Sequence, residues 1–128
     1  MPRDPILIPN APPPTNPYSP GVRSGDHVFL SGQTGVDPAT GRLVEGDVAA
    51  QAEQIFKNLA GVLAVAGLSL GDAVKCNVYL TDIGDFQAMN AVYARQFEAP
   101  YPARTTVAVA ALPGGARIEI ELVARQPA

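Results

Sequence analysis

Apolar positions along the chain follow two different periods. Val48, Ala52, Ile55, Phe56, Leu59, Val62, Leu63 and Ala66 recur at steps of three and four, the spacing of one face of an amphipathic α-helix. Asp47 stands where an N-cap belongs and Gly67 where a helix stops. From Ala73 to Leu80 the period drops to two: Val74, Cys76, Val78 and Leu80 alternate with Lys75, Asn77 and Tyr79, which predicts a strand. A second, shorter helix is expected after Asp82 or Asp85, with Phe86, Met89, Tyr93 and Phe97 as its buried stripe, and Pro100 and Pro102 closing it. Two strand pairs flank these elements. Val22-Arg23 and His27 to Gln33 bracket the turn Ser24-Gly25-Asp26. Thr105, Val107 and Val109, then Ile118, Ile120 and Leu122, bracket Leu112-Pro113-Gly114-Gly115. Asp37-Pro38-Ala39-Thr40-Gly41 reads as a polar turn.

The order strand, strand, helix, strand, helix, strand, strand predicts an α+β fold, a sheet with both helices on one face. Two helices cover only one side, so the other face is expected to be naked. If the last two strands form a hairpin, Ala108 opposes Glu119 and Arg104 opposes Val123, and the naked face carries Arg104, Thr106, Ala108, Arg117, Glu119, Glu121 and Val123. Such a mixed apolar and charged surface invites a partner chain, so a homo-oligomer is expected.

Residues 9–20 hold so many prolines that helix is forbidden and a central strand disfavoured. They form an extended arm, begun by an edge strand at Ile6-Leu7-Ile8. The formal net charge of −3 gives no overall attraction to nucleic acid or anionic membrane. Cys76 is the single cysteine, so no intrachain disulfide forms and a cytoplasmic setting is the simplest reading. No apolar run is long enough for a transmembrane helix, and no metal-ligand cluster is spaced for zinc.

Few residues stand out chemically. In the hairpin just described, Arg104 and Glu119 lie roughly 13 Å apart along one face, leaving room for a small molecule between their side chains. Arginine grips a carboxylate through two parallel hydrogen bonds, and a glutamate can position or deprotonate a water. Spacing leaves the plainer reading open, that the two are ordinary surface charges or an ion pair. His27, the only histidine, sits beside a turn. Cys76 falls with Val74 and Val78 on an apolar face and reads as a buried structural thiol.

Several runs resemble the reactive intermediate deaminase (RidA, or YjgF) family. They are Pro17-Tyr18-Ser19-Pro20-Gly21, Leu30-Ser31-Gly32-Gln33, Asp85 to Tyr93, Tyr101-Pro102-Ala103-Arg104-Thr105-Thr106-Val107 and Ile118-Glu119-Ile120-Glu121. The resemblance spans Tyr18 to Ala124 in the same order. The length of 128 residues fits one domain over 1–128, with 1–17 as the proline-rich arm. The resemblance implies a chorismate-mutase-like mixed sheet assembling as a trimeric barrel, with sites between subunits. The implied activity is hydrolysis of enamines and imines of the 2-aminoacrylate type to 2-keto acids and ammonia, without a cofactor. By the same resemblance Arg104 holds the substrate carboxylate and Glu119 directs the water, while Tyr18, Ser31, Gly32, Asn90 and Thr106 line the pocket. Thr106 stands where many members have cysteine, and Pro20 where a polar residue is common. Two rival readings are an endoribonuclease of the L-PSP type and a non-catalytic small-carboxylate-binding protein.

Overall fold

The computed structural model describes residues 2–8 and 11–128; Met1, Pro9 and Asn10 of the expected arm lie outside the described residues. In chain order the elements are β1 (Asp4–Ile6), β2 (Gly21–Ser24), β3 (His27–Gln33), β4 (Val36–Asp37), β5 (Arg42–Leu43), α1 (Val48–Val65), β6 (Ala73–Leu80), α2 (Phe86–Ala94), β7 (Ala103–Ala108) and β8 (Ile118–Arg125). The edge strand of the arm is therefore Asp4–Ile6 rather than residues 6–8. The polar turn at Asp37–Gly41 joins β4 to β5, a small separate ribbon. No helix among the described residues is long and apolar enough to cross a membrane.

Helix α1 begins and ends where its pattern says. The Asp47 carboxylate accepts from the backbone N–H of Ala50 at 3.1 Å. At the other end Gly67 takes a positive φ of 75°, and the N–H groups of Gly67 and Leu68 reach back to the carbonyls of Ala64 and Leu63. This is the Schellman closure, which only a residue tolerant of left-handed backbone makes without strain. Helix α2 starts after a single 3₁₀ turn (Ile83–Asp85), whose Asp82 side chain accepts from Gly84 N–H at 2.8 Å. It stops at Ala94, so Phe97 packs from beyond its end.

The sheet order is β1-β2-β3-β8-β6-β7, and this overturns the hairpin expected for the last two strands. Strand β6 lies between them, antiparallel to β8 and parallel to β7. A parallel pair cannot be closed by a tight turn and needs a crossover; α2 supplies it, making β6–α2–β7 a βαβ unit. The connection from β7 to β8 then passes over the end of β6, where Val109 N–H donates to Leu80 O at 2.7 Å and Thr81 N–H to Arg117 O at 3.1 Å.

The register fixes which way each side chain points. Arg104 is level with Cys76, which is level with Leu122, while Glu119 is level with Tyr79, which is level with Val107. Cys76 and Leu122 are buried beneath the helices. Because side chains alternate along a strand, Arg104 and Thr106 face the helices and Glu119 and Glu121 face the open side. The expectation that Arg104 and Glu119 share a face is thus incorrect for one chain.

Both helices pack on one side of the sheet around a single core, in which Val28, Ile55, Leu59, Leu63, Val78, Leu80, Ile118 and Ile120 have no exposed surface. Phe56, Tyr93 and Phe97 form an aromatic cluster that joins α1 to α2, with ring centroids 4.9–5.9 Å apart. Leu59, on α1, is fully buried in this core. Leu59→Ala should lower the unfolding free energy by about 2–5 kcal/mol in denaturant titration, whereas Lys57→Ala, on the exposed side of α1, should leave it nearly unchanged.

Candidate active site in two half-pockets

Arg104 lies on the edge strand β7, under α2. Its Nη1 donates to the Asn90 side-chain oxygen at 2.8 Å. Its guanidinium carbon stands 4.7 Å from the Tyr93 ring centroid and 5.5 Å from that of Phe86. Spacings of three and four along α2 put Phe86, Asn90 and Tyr93 on one face of the helix, and the crossover lays that face over β7. Cation–π contact with two rings and one amide oxygen holds the guanidinium without neutralising it. Among the described residues the ion pairs are Arg95–Glu53 and Arg117–Asp85; Arg104 joins neither. A pocket of about 370 Å³ opens beside it, lined by Asn90, Tyr93, Ala94, Tyr101, Pro102 and Arg104.

Two buried hydroxyls in this region, those of Thr106 and Tyr93, have no well-formed hydrogen bond among the described residues, although the Tyr93 hydroxyl stands beside the Cys76 thiol closely enough for the two to influence each other. A buried hydroxyl left without any partner costs about 1–3 kcal/mol. Burial holds the Tyr93 hydroxyl well above the ordinary tyrosine range. Cys76 lies fully buried in the register row of Arg104. Burial pushes its thiol up, against smaller opposing effects from Tyr93 and Arg104, so it stays protonated and structural.

The other candidates gather on the open face. The ladder between β3 and β8 slips between Leu30 and Gln33, and the slip brings Gly32 against Glu119. A Cβ at position 32 would stand 2.5 Å from Glu119 Oε2, so a larger residue would displace the carboxylate. Ser31 pins the arm: its Oγ donates to Ser19 O at 2.6 Å and its N–H to Pro20 O at 3.0 Å. This holds Tyr18 at the rim of a cavity of about 760 Å³ that Arg3, Phe29, Ser31 and Glu121 also line. Burial first, and the neighbouring charge of Glu121 second, raise the Glu119 carboxyl above its usual range. Its neighbour differs: Glu121 accepts from the Tyr79 hydroxyl and from Asn77 Nδ2 at 3.2 Å.

The expected site residues therefore fall into two groups, one on each side of the sheet. Arg104 and Asn90 line the pocket on the helix side, with Thr106 on the same side of β7 but outside that pocket's lining; on the open side Tyr18 and Ser31 line the larger cavity, and Glu119, with Gly32 against it, is not part of that lining. Pattern analysis assigned Phe86 and Tyr93 to a buried stripe and missed that they carry Arg104. It also passed over Tyr79 and Glu121, whose meeting depends on the β6–β8 register. His27 is exposed at the start of β3, its ring 6.2 Å from that of Phe29, and joins neither group. No group of three His, Cys, Asp or Glu able to hold a metal occurs among the described residues.

Residues 8–126 match the family model described as Endoribonuclease L-PSP. The chain is 45% identical to the human protein named 2-iminobutanoate/2-iminopropanoate deaminase, over 94% of this chain and 88% of that one. It superposes on the crystal structure of RidA from an Antarctic Psychrobacter with a TM-score of 0.89 at 46% identity, covering 96% of this chain and 99% of the other. The structure of E. coli TdcF with bound serine is similar too, with a TM-score of 0.88 at 39% identity over 97% and 99% of the two chains. The chain belongs to the endoribonuclease L-PSP family, the reactive intermediate deaminase family that its sequence resembles.

Proposed function

We propose that this protein hydrolyses small 2-imino acids, and the enamines that tautomerise to them, to 2-keto acids and ammonia, at sites built between copies of the chain in a homotrimer. The observation that carries this reading is the Arg104 cradle. An arginine that is half-buried, fixed by two rings and an amide, and free of any acidic partner is prepared for an external carboxylate, which it can grip with two parallel hydrogen bonds. The names of the relatives supply the class of carboxylate: the human relative is named for 2-iminobutanoate and 2-iminopropanoate, and the E. coli relative holds serine.

Glu119 supplies the second requirement, a carboxylate that can take a proton from water. In one chain it lies across the sheet from Arg104, so the two act on one substrate only if neighbouring chains contribute one each. The open face carries exposed apolar groups suited to such an interface, including Phe29 on β3 and Val107 on the edge strand β7. This arrangement is the trimer that the family resemblance implies.

In the proposed mechanism the iminium substrate enters with its carboxylate on Arg104. A water held by Glu119 attacks the imine carbon. The C–O bond forms, the C=N π electrons move onto nitrogen, and Glu119 takes the water proton. The resulting carbinolamine receives that proton on nitrogen. The C–N bond then breaks, ammonia leaves, and the remaining hydroxyl loses its proton as the keto group forms. Hydrolysis of an imine needs only water and acid–base groups, so orientation and charge placement carry the acceleration. Thr106, two residues from Arg104 on the same side of β7, would offer its unpartnered hydroxyl to the substrate.

The family description favours a second reading, RNA cleavage. RNA binding through phosphates would need a basic track, and the formal charge of −3 disfavours it; purified protein should leave RNA intact.

Arg104→Ala should lower kcat/KM for freshly generated 2-iminopropanoate by roughly a hundredfold or more, and Glu119→Gln by a similar factor through kcat, both read as ammonia released. Wild-type turnover in the Arg104→Ala variant would refute the assignment. Gly32→Ala, which forces the Glu119 carboxylate to move, should impair kcat more than KM without unfolding the protein.

A further inference from the structure

Tyr79 and Glu119 are register partners on neighbouring strands, so the tyrosine hydroxyl has a carboxylate beside it. It does not use that carboxylate. It reaches diagonally to Glu121, the partner of Asn77, and Asn77 Nδ2 donates to the same Glu121 oxygen at 3.2 Å. Both polar side chains that β6 offers here are thereby committed to one carboxylate. Glu119, two residues away on the same face of β8, receives no hydrogen bond from any described residue. On its other side Gly32 leaves it space but no side-chain donor.

We infer that Glu121, fixed by Tyr79 and Asn77, is a positioning residue that keeps Glu119 free of donors inside the protein and places a like charge beside it, making Glu119 the stronger proton acceptor. The inference rests on the reading of Glu119 as the water-directing group.

The surrounding charges allow the effect to be isolated. Strand β6 contributes Lys75 and Tyr79 to this face, β8 contributes Glu119, Glu121 and Arg125, and β3 contributes His27. The arm adds Arg3 and Tyr18 at the cavity that Glu121 lines. Lys75 donates to Thr105 Oγ1 at 3.0 Å, away from both glutamates. His27 pairs in register with Arg125 at the far end of the strands. Within one chain, burial and then the charge of Glu121 act on Glu119; in the proposed trimer a neighbouring chain's Arg104 adds an opposing positive charge, which is the same in every variant compared below. The same contact shows on its donor: the hydrogen bond to Glu121, then burial, push the Tyr79 hydroxyl up to about 12.

The sign of the expected change follows. Only ionised Glu119 accepts a proton from water, so the rate rises with pH through its pKa. A neighbouring negative charge raises that pKa, and removing the charge lowers it. In Glu121→Gln, which keeps the shape and an acceptor oxygen, the Glu119 carboxyl should titrate at lower pH in carbon-detected NMR of the full-length protein. The low-pH limb of kcat/KM should move the same way, with a few-fold loss on the plateau because the base is weaker. Tyr79→Phe keeps both carboxylates and should leave Glu119 titrating in its raised position. An unchanged Glu119 titration in Glu121→Gln, or an equal fall in Tyr79→Phe, would overturn the inference. If Glu119→Gln loses activity while Glu119 titrates identically with and without Glu121, the inference fails and the deaminase reading stands. If Glu119→Gln keeps wild-type activity, the reading itself fails.

Discussion

The placement of β6 between β7 and β8 governs everything downstream of it in this protein. A parallel neighbour to β6 requires a crossover, and α2 is that crossover. Because α2 returns across the sheet, its Phe86–Asn90–Tyr93 face comes down on the edge strand and closes over Arg104. Because β8 flanks β6 on the other side, Glu119 is aligned with Tyr79, three residues along β6 from the row that holds Arg104. An odd separation on a pleated strand reverses the face. One topological choice therefore builds the arginine cradle and sends the glutamate to the opposite side of the sheet.

On the proposed reading, the two charged residues are kept available by different physics. Cations on a protein commonly pair with a carboxylate, and the part-exposed Arg117 does so with Asp85 at 3.1 Å. Arg104 is offered aromatic faces and one amide oxygen, which favour the positive charge while leaving hydrogen-bond donors of the guanidinium unused. Glu119 is kept reactive by the reverse device: the donors near it are occupied by Glu121, and its surroundings are partly dry. In that proposal one side provides a grip for a negative group and the other a base that receives no hydrogen bond from the described residues.

Much of this was legible in the pattern of the chain, and the rest failed at an identifiable step. The three- and four-residue repeat located α1 with its cap and its stop, because an 18-residue helix with one buried face leaves a strong periodic trace. The two-residue repeat located β6. Pairing was misjudged because strand patterns show which side chains alternate but carry no label for the neighbour. A Pro-Gly-Gly turn between two strands reads as a hairpin, although the connection here spans the end of a third strand. Strand, helix, strand from Ala73 to Ala108 was the signal for a βαβ unit. Spacing singled out Arg104 and Glu119, but on a shared face that the register separates; their roles, and the choice of Ser31 and Gly32, came from the family resemblance. The roles of Tyr93, Tyr79 and Glu121 needed the register itself.

If Arg104 and Glu119 act on one substrate from neighbouring chains, two inactive variants should repair each other. Arg104→Ala and Glu119→Gln chains, unfolded together and refolded as mixed oligomers, would create interfaces in which one chain supplies the intact arginine and the next the intact glutamate. Ammonia release from 2-iminopropanoate should then return to a substantial fraction of the wild-type rate, while each variant refolded alone stays inactive. Mixed oligomers that form but remain as inactive as their parents would contradict a site shared between chains.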